Sequence, residues 1–327
     1  MKTGKYSYNA QQRSIIRPIK KVQKQADGFA QNYDCAMMDC NKEKIIASQA
    51  SMTAETQLEA RLIFCRACNQ VYAQYGKVKM VNITWICPEN SEEEKISKMT
   101  EYLAILCKEK DIMLGAVNAS VSSFVSRNQL VVNAIGYISC EELSNNPEDI
   151  SGYTLCMAGH AGMAGVGLLA SELNEELKKQ YTQGFISQAQ TFLEELDMSA
   201  IMEALKDSKS RIYPIQEGGI LNALWNFADG ADVGLDVDMR KLPIRQESVE
   251  ISEFYGLNPY QLMADGSCLI ASRQPEYICA KLERAGVMCR IIGQITNEKA
   301  RVIRRDEEVR YLDKPAQEEL EKVRKIL

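Results

Sequence analysis

Two periodicities of apolar residues take turns along the chain and divide it into strands and helices. Residues 33–48 (YDCAMMDCNKEKIIAS) predict two short strands around a polar turn that begins at Asn41. Residues 54–74 carry Leu58, Leu62, Phe64, Cys65, Cys68 and Val71 at helical spacing, which predicts a helix with a broad apolar face. A strand is expected over 78–87, ending at Pro88. The acids that follow Asn90 then mark a helix start, because they sit at the positive end of the helix dipole. That helix presents Ile96, Met99, Leu103, Leu106 and Cys107 on one side, and strands at 112–117 and 129–138 follow. The polar stretch 141–151 is rich in turn formers and predicts a domain boundary.

The second half opens with a strand over 153–158, which enters the glycine-rich turn 159–167 and a helix from Leu168. A charged helical face at 172–180 and further helix at 186–205 come next. Gly218-Gly219 then leads into a helix carrying Ile220, Leu221, Leu224 and Trp225, and residues 233–238 alternate as a strand. A second helical run begins after Pro243, followed by the turn at Gly256-Leu-Asn-Pro and the turn Asp265-Gly266. Helix is expected over 277–285, strand over 287–295, a charged edge strand over 301–312 and an amphipathic helix over 315–327. Residues 1–26 hold seven Lys or Arg and no acid, with little periodicity, and read as a solvated basic arm.

A chain of 327 residues exceeds one ordinary core and suggests two domains. Composition is 46% hydrophobic and 25% charged, as in soluble globular proteins. The net charge of −5 argues against a general nucleic-acid binder. No apolar run reaches the roughly 20 residues that span a bilayer, and the basic N-terminus lacks the apolar core of a signal peptide. Eleven scattered cysteines fit a reducing compartment better than a disulfide framework, so a cytoplasmic location is expected.

The order of motifs from Gly218 to Gly266 resembles a known family. A Gly-Gly pair opening a helix, the strand Val233-Gly-Leu-Asp-Val-Asp238, Leu242-Pro243-Ile244, a helix, Gly256-Leu-Asn-Pro259 and Asp265-Gly266 stand in that order. They are similar to the C-terminal domain of the aminoimidazole-ribonucleotide-synthetase-like (AIR synthase-related) superfamily. The hydrogenase-maturation carbamoyl dehydratase branch resembles this pattern most. The resemblance implies an α+β fold: an N-terminal domain (32–145) after the basic arm (1–31), and a C-terminal α/β sandwich domain (146–327). It implies that the N-terminal sheets of two subunits meet in a dimeric barrel, that the protein is a homodimer, and that ATP with Mg²⁺ would be the cofactors. The residues themselves assign no cofactor with certainty.

Phosphoryl chemistry in that superfamily rests on acids that hold Mg²⁺ between phosphates, because this hard cation takes oxygen ligands. At the positions the resemblance marks, this chain has Tyr33-Asp34-Cys35-Ala36, Gln49-Ala50-Ser51, Cys68-Asn69-Gln70 and Gly115-Ala-Val-Asn118. Only Asp34 keeps a carboxylate, while Asn69 and Asn118 are neutral. The last cysteine is Cys289 and the chain closes on Val323-Arg-Lys-Ile-Leu327, so the branch's transfer to a terminal cysteine is not expected. No catalytic residue is therefore assigned.

The residues singled out for a nucleotide or substrate cleft are Asp34, Asn69, Asn118, His160, Gln216, Glu217, Gly218, Gly219 and Asn222. His160, the single histidine, stands in a turn before a helix, where free N–H groups suit anions. A tight turn alone would also account for Gly218-Gly219. Cys65-x-x-Cys68 lies in a helix with no second pair to complete a metal site, so packing is the expected role and no metal is assigned. Asp236 and Asp238 read as a solvated strand face, and Asp265-Gly266 as a turn. Two functional readings stay open. One is a degenerate family member, a binding or regulatory homodimer with a protein partner and without nucleic acid or membrane. The other is an ATP-dependent enzyme of the same superfamily with displaced metal ligands.

Overall fold

The computed structural model describes residues 7–22 and 35–324. Strands gather into two sheets. The first holds five strands in the order β1-β2-β5-β3-β4: β1 (Cys35–Cys40), β2 (Glu43–Thr53), β3 (Lys77–Cys87), β4 (Met113–Val121) and β5 (Gln129–Ser139). Neighbours are antiparallel except β3 and β4. A parallel pair needs a crossover, and α3 (Glu93–Glu109) supplies it. The second sheet holds seven strands in the order β12-β11-β8-β10-β6-β9-β7: β6 (Thr154–Ala158), β7 (Arg211–Pro214), β8 (Gly234–Asp238), β9 (Cys268–Ser272), β10 (Cys289–Thr296), β11 (Arg301–Arg305) and β12 (Glu308–Tyr311).

The helix that ties the two halves together is α2 (Gln57–Tyr72). Thr56 caps it by accepting from the Glu59 N–H while the Glu59 carboxylate accepts from the Thr56 N–H, a reciprocal capping box. Twelve of its sixteen residues are buried, because it is covered by the first sheet on one side and by the second half on the other. Leu62, Phe64, Trp85, Leu103 and Leu130 share one continuous apolar cluster with Val166, Leu169 and Phe192. The last three belong to α4 (Met163–Glu172) and to a 3₁₀ turn after α5 (Gln183–Gln190).

Helices cover both faces of the second sheet. Leu155, Met157, Leu269 and Ala271 face α7 (Gly219–Ala231) through Phe227 and Leu224. Cys156, Cys268 and Ile270 face α6 (Ser199–Leu205) and α9 (Pro275–Arg284) through Ile201, Ile278 and Leu282. Strands buried on both faces read as unbroken apolar runs without alternation. That is why β9 and β7 carry no period-two signal and escape a reading of the sequence.

Several expectations need correction. The helix expected from Leu168 begins at Met163, since Gly165 and Gly167 lie within it rather than in the turn. A Cβ on Gly167 would come within 2.8 Å of Leu193 Cγ, so close packing and not a turn explains this glycine. Leu58 is exposed at the start of α2 instead of lying on its apolar face. The charged strand 301–312 is a hairpin, β11 and β12, turning at Asp306 in the left-handed region. Of the basic arm, residues 8–22 are helical (α1) and dock on the second half. Tyr8 stacks edge-on against Trp225 and donates to Asp229 Oδ2 at 2.7 Å. The final helix is short, α10 (Leu320–Arg324), after an extended approach over 312–318. No helix of the described residues is long and apolar enough to cross a membrane.

Candidate functional site

The cleft residues fall into four places, with Asp34 lying outside the described residues. Asn118 stands on β4, the outer strand of the first sheet, exposed and paired in register with Thr84. His160 lies in the turn after β6. Gln216, Glu217, Gly218, Gly219 and Asn222 lie in a polar seam between α2 and the start of α7, whereas Asn69 on α2 faces the backbone at Leu196 and Met198.

Arg66 organises that seam. It projects from α2 into the second half with its side chain 6% exposed. Its Nε donates to Asp265 Oδ1 at 2.8 Å, Nη2 to Asp265 Oδ2 at 2.9 Å and Nη1 to Glu217 Oε1 at 2.8 Å. The two fork bonds to one carboxylate give planar, bidentate geometry. Asp265 is therefore a buried ionic partner and not simply a turn residue. One helical turn on, Gln70 Nε2 donates to Gln216 Oε1 at 2.9 Å, and Gln216 Nε2 donates to the Arg66 carbonyl at 3.2 Å. Asn69 is used up by backbone: its Nδ2 donates to the Leu196 carbonyl at 2.8 Å and its Oδ1 accepts from the Met198 N–H at 3.0 Å. These amides brace the two halves.

Gly218 and Gly219 start α7 with φ of +76° and +63°. A Cβ on Gly219 would lie 2.5 Å from the Tyr260 carbonyl and 2.6 Å from the Leu262 carbonyl, both backbone atoms. Gly219→Ala is expected to cost about 1–3 kcal/mol from the left-handed backbone alone, with the overlap added to it. Urea denaturation with an unchanged slope and a lowered midpoint would report that loss.

The Gly218 N–H at this helix start is already engaged. Glu318, arriving on the C-terminal segment, accepts from the Gly218 N–H at 2.6 Å, the Met263 N–H at 3.1 Å and the Leu320 N–H at 3.3 Å. Beside it, Asn222 exchanges two bonds with the backbone of Ala316, at 2.9 and 3.0 Å. The place where a helix N-terminus would receive a ligand's anionic group is filled by the chain's own carboxyl.

Burial pushes Glu318 up to about 8, although three backbone N–H donors pull the other way; the Glu217 carboxylate adds to the rise. One guanidinium already faces two carboxylates here, so a third ionises late. Its proton is released from the unfolded chain near the ordinary value of 4.5 but held in the fold to about 8, so stability drops as pH rises across that window. His160 has the opposite sign. Burial, then Arg245 and Arg290, hold its imidazole down to about 4 from 6.5, so its contribution is complete above 6.5 and lost as pH falls towards 4. Between pH 6.5 and 8 only the Glu318 slope remains of the two. Unfolding free energy is expected to fall there by up to about 1.4 kcal/mol per pH unit, and Glu318→Gln to flatten the slope. A wild-type profile that is flat over that range would contradict this.

His160 lines a cavity of about 800 Å³ with Met163, Glu195, Asp197, Arg245 and Arg290. Its backbone is clasped by Ser267, whose Oγ accepts from the His160 N–H and donates to its carbonyl. Nδ1 is buried with no partner. The acids around it are occupied: Glu195 takes two bonds from Arg245 Nη2, at 2.7 and 3.0 Å, and Asp197 pairs with Lys110. A neutral imidazole between two guanidiniums can donate to or accept from a polar ligand but offers no hard-cation site.

The described residues do not fit Mg²⁺ at the positions the resemblance marks. Gln49, Ala50 and Ser51 carry no acid, Asn69 is saturated by backbone, and Asn118 lies at the outer strand. Asp236 and Asp238 pair with Arg304 and Arg240 at the surface. Sequence reasoning missed Arg66, Asp265 and Glu318. Arg66 did carry a signal, a lone charge in the apolar run Leu62–Asn69, which requires a buried partner.

Residues 151–305 match the family model described as AIR synthase related protein, C-terminal domain. A Methanocaldococcus jannaschii protein named for hydrogenase expression/formation is 21% identical over 250 residues, 74% of this chain and 72% of that one. A phosphoribosylformylglycinamidine synthase subunit PurL of Saccharolobus islandicus is 26% identical over 172 residues, 52% of this chain but only 23% of its own length. Among solved structures, E. coli HypE has a TM-score of 0.73 at 17% identity, covering 94% of this chain and 99% of that one. AaThiL complexed with AMPPCP and TMP has a TM-score of 0.71 at 17% identity, covering 94% and 97%. A chain of a HypE-HypF complex has a TM-score of 0.67 at 19% identity, covering 92% and 100%. The structural matches establish a fold of two mixed sheets, shared by maturation proteins and a kinase-type neighbour. Residues 151–305 thus match the AIR synthase-related family, and the chain as a whole is similar to proteins of that superfamily. Within it, the chain is similar to the hydrogenase-maturation proteins.

Proposed function

We propose that this protein is a binding or regulatory homodimer of the hydrogenase-maturation type that has lost Mg-ATP catalysis. The observation that carries the reading is Glu318 seated on the backbone N–H of Gly218, where the predicted cleft would receive a phosphate. The neutral amides at the expected ligand positions support it.

Homodimerisation through the first sheet is supported by that sheet's open face. Met80, Ile86, Val131, Ile135 and Tyr137 are only half-buried on the side away from α2. The outer strand β4 also exposes Met113, Val117 and Val121, with Phe124 just beyond it 97% exposed. Unpaired strand edges and apolar faces of this kind invite a second sheet. A protein partner is supported by the likeness to HypE, one of whose structures is a complex with HypF. A cytoplasmic location and a division near residue 145 belong to the same reading.

Calorimetry of ATP and ADP with and without Mg²⁺ tests the proposal, alongside sedimentation of the same sample. No heat at millimolar nucleotide and a dimeric mass are expected. The ATP-dependent alternative draws on the cavity beside His160 and on relatives whose structures hold ATP or AMPPCP. Tight, Mg²⁺-dependent ATP binding would establish that alternative and overturn the first reading.

A further inference from the structure

Three cysteines from three separate elements converge beneath α9. Cys156 lies on β6 and faces Ile291 of the antiparallel strand β10. Cys289 stands two residues before Ile291, so it shares that sheet face with Cys156 on the diagonal. The face is covered by α9, which contributes Cys279. The sulfurs of Cys156, Cys279 and Cys289 all lie within 4.8 Å of one another, and the Cys279–Cys289 separation is 3.4 Å.

We propose that Cys156, Cys279 and Cys289 form a binding site for one thiophilic d¹⁰ metal ion, Zn²⁺ or Cu⁺. Three thiolates at about 2.3 Å from one tetrahedral zinc stand roughly 3.8 Å apart, so the sulfurs need only small side-chain rotations to close on an ion. Soft sulfur donors select such ions, and the cluster contains no carboxylate or imidazole that would favour Mg²⁺ or Ca²⁺. Cys156 is fully buried, which removes water from one side of the triangle. Cys289 lines the cavity that also holds His160 and Arg290, which gives an ion a path in and leaves room for a further ligand on Zn²⁺.

Other buried thiols lack this arrangement. Cys65 and Cys68 lie one turn apart on α2 inside the apolar core, and burial drives the Cys65 thiol up to about 12. Cys268 on β9 is a core neighbour of Cys156 but stands outside the triangle. The site stands apart from the Glu318 seat on α7, although Cys289 borders the cavity beside His160 on which the ATP-dependent alternative draws.

The test starts from reduced, metal-free protein in which exposed Cys40 and Cys140 are changed to Ser. It is titrated anaerobically with Co²⁺, and Zn²⁺ and Cu⁺ then compete for the bound cobalt. One Co²⁺ per chain is expected, with a thiolate-to-metal charge-transfer band in the near ultraviolet. Cys279→Ser and Cys289→Ser should each abolish the band while circular dichroism and melting show an intact fold; both positions are only half-buried. Cys268→Ala and Cys65→Ala should keep it. The ion that displaces cobalt at the lower free concentration identifies which of the two the site prefers. No stoichiometric uptake by the parent, or a band that survives both Ser variants, would overturn the site. So would reduced protein that takes up no metal and only forms a Cys279–Cys289 disulfide on oxidation.

Discussion

Arg66→Ala is expected to lower the free energy of unfolding by about 3–5 kcal/mol, the range for a buried pair that loses one partner. The change deletes both fork bonds to Asp265, whose side chain has no exposure, and the bond to Glu217. Asp265 would then keep a carboxyl in a dry place without its cation. The same change opens the seam between α2 and α7, so the cost has a packing component as well. Replacing Arg66 and Asp265 together by apolar residues should cost less than Arg66→Ala alone, because no charge is stranded. Urea denaturation of the single and double variants measures both numbers. A loss below about 1 kcal/mol for Arg66→Ala would place the pair among solvated surface bridges and contradict its burial.

Glu318→Ala is the second large effect, and it reaches function. Three backbone donors, from Gly218, Met263 and Leu320, lose their acceptor at once. Each donor left dry costs about 1–3 kcal/mol, less whatever water recovers. The vacated helix start is then an anion seat with free N–H groups. Thermal unfolding of Glu318→Ala should therefore shift upward in phosphate or ATP, whereas the wild type should not respond. Ligand that binds only the folded state stabilises it by mass action, so the shift should grow with ligand concentration. Equal responses from the two proteins would mean that Glu318 is not what closes the seat.

Much of the first sheet was legible because one of its faces is covered and the other is open. Alternation in β3 and β5 follows directly from that asymmetry, and their expected limits lie within a residue or so of the observed ones. The second sheet hid two strands for the opposite reason. Cys268–Ser272 is buried on every residue, so period two vanishes, and Arg211–Pro214 is only four residues long. The glycine pair at 218–219 was found as a helix start, but what fills it was not. Glu318 lies about a hundred positions further on, and a carboxyl inside an amphipathic run looks like solvent-facing charge until the fold brings it home. The thiol triangle was illegible for the same reason: 156, 279 and 289 share no spacing rule, and only the strand register and the covering helix unite them.

The segment from Ala316 to Arg324 crosses the molecule like a latch. Ala316 holds Asn222, Glu318 holds Gly218 and Met263, Glu319 holds the Asn258 N–H, and Arg324 reaches Glu59 and Glu172. On a ribosome this segment emerges after every element it fastens. Every element it fastens is synthesised before it, yet the Gly218 N–H is bare and Glu59 lacks its guanidinium until it arrives. The nascent protein thus passes through a stage in which the seat on α7 is open, and the arrival of the 316–324 segment is the event that shuts it.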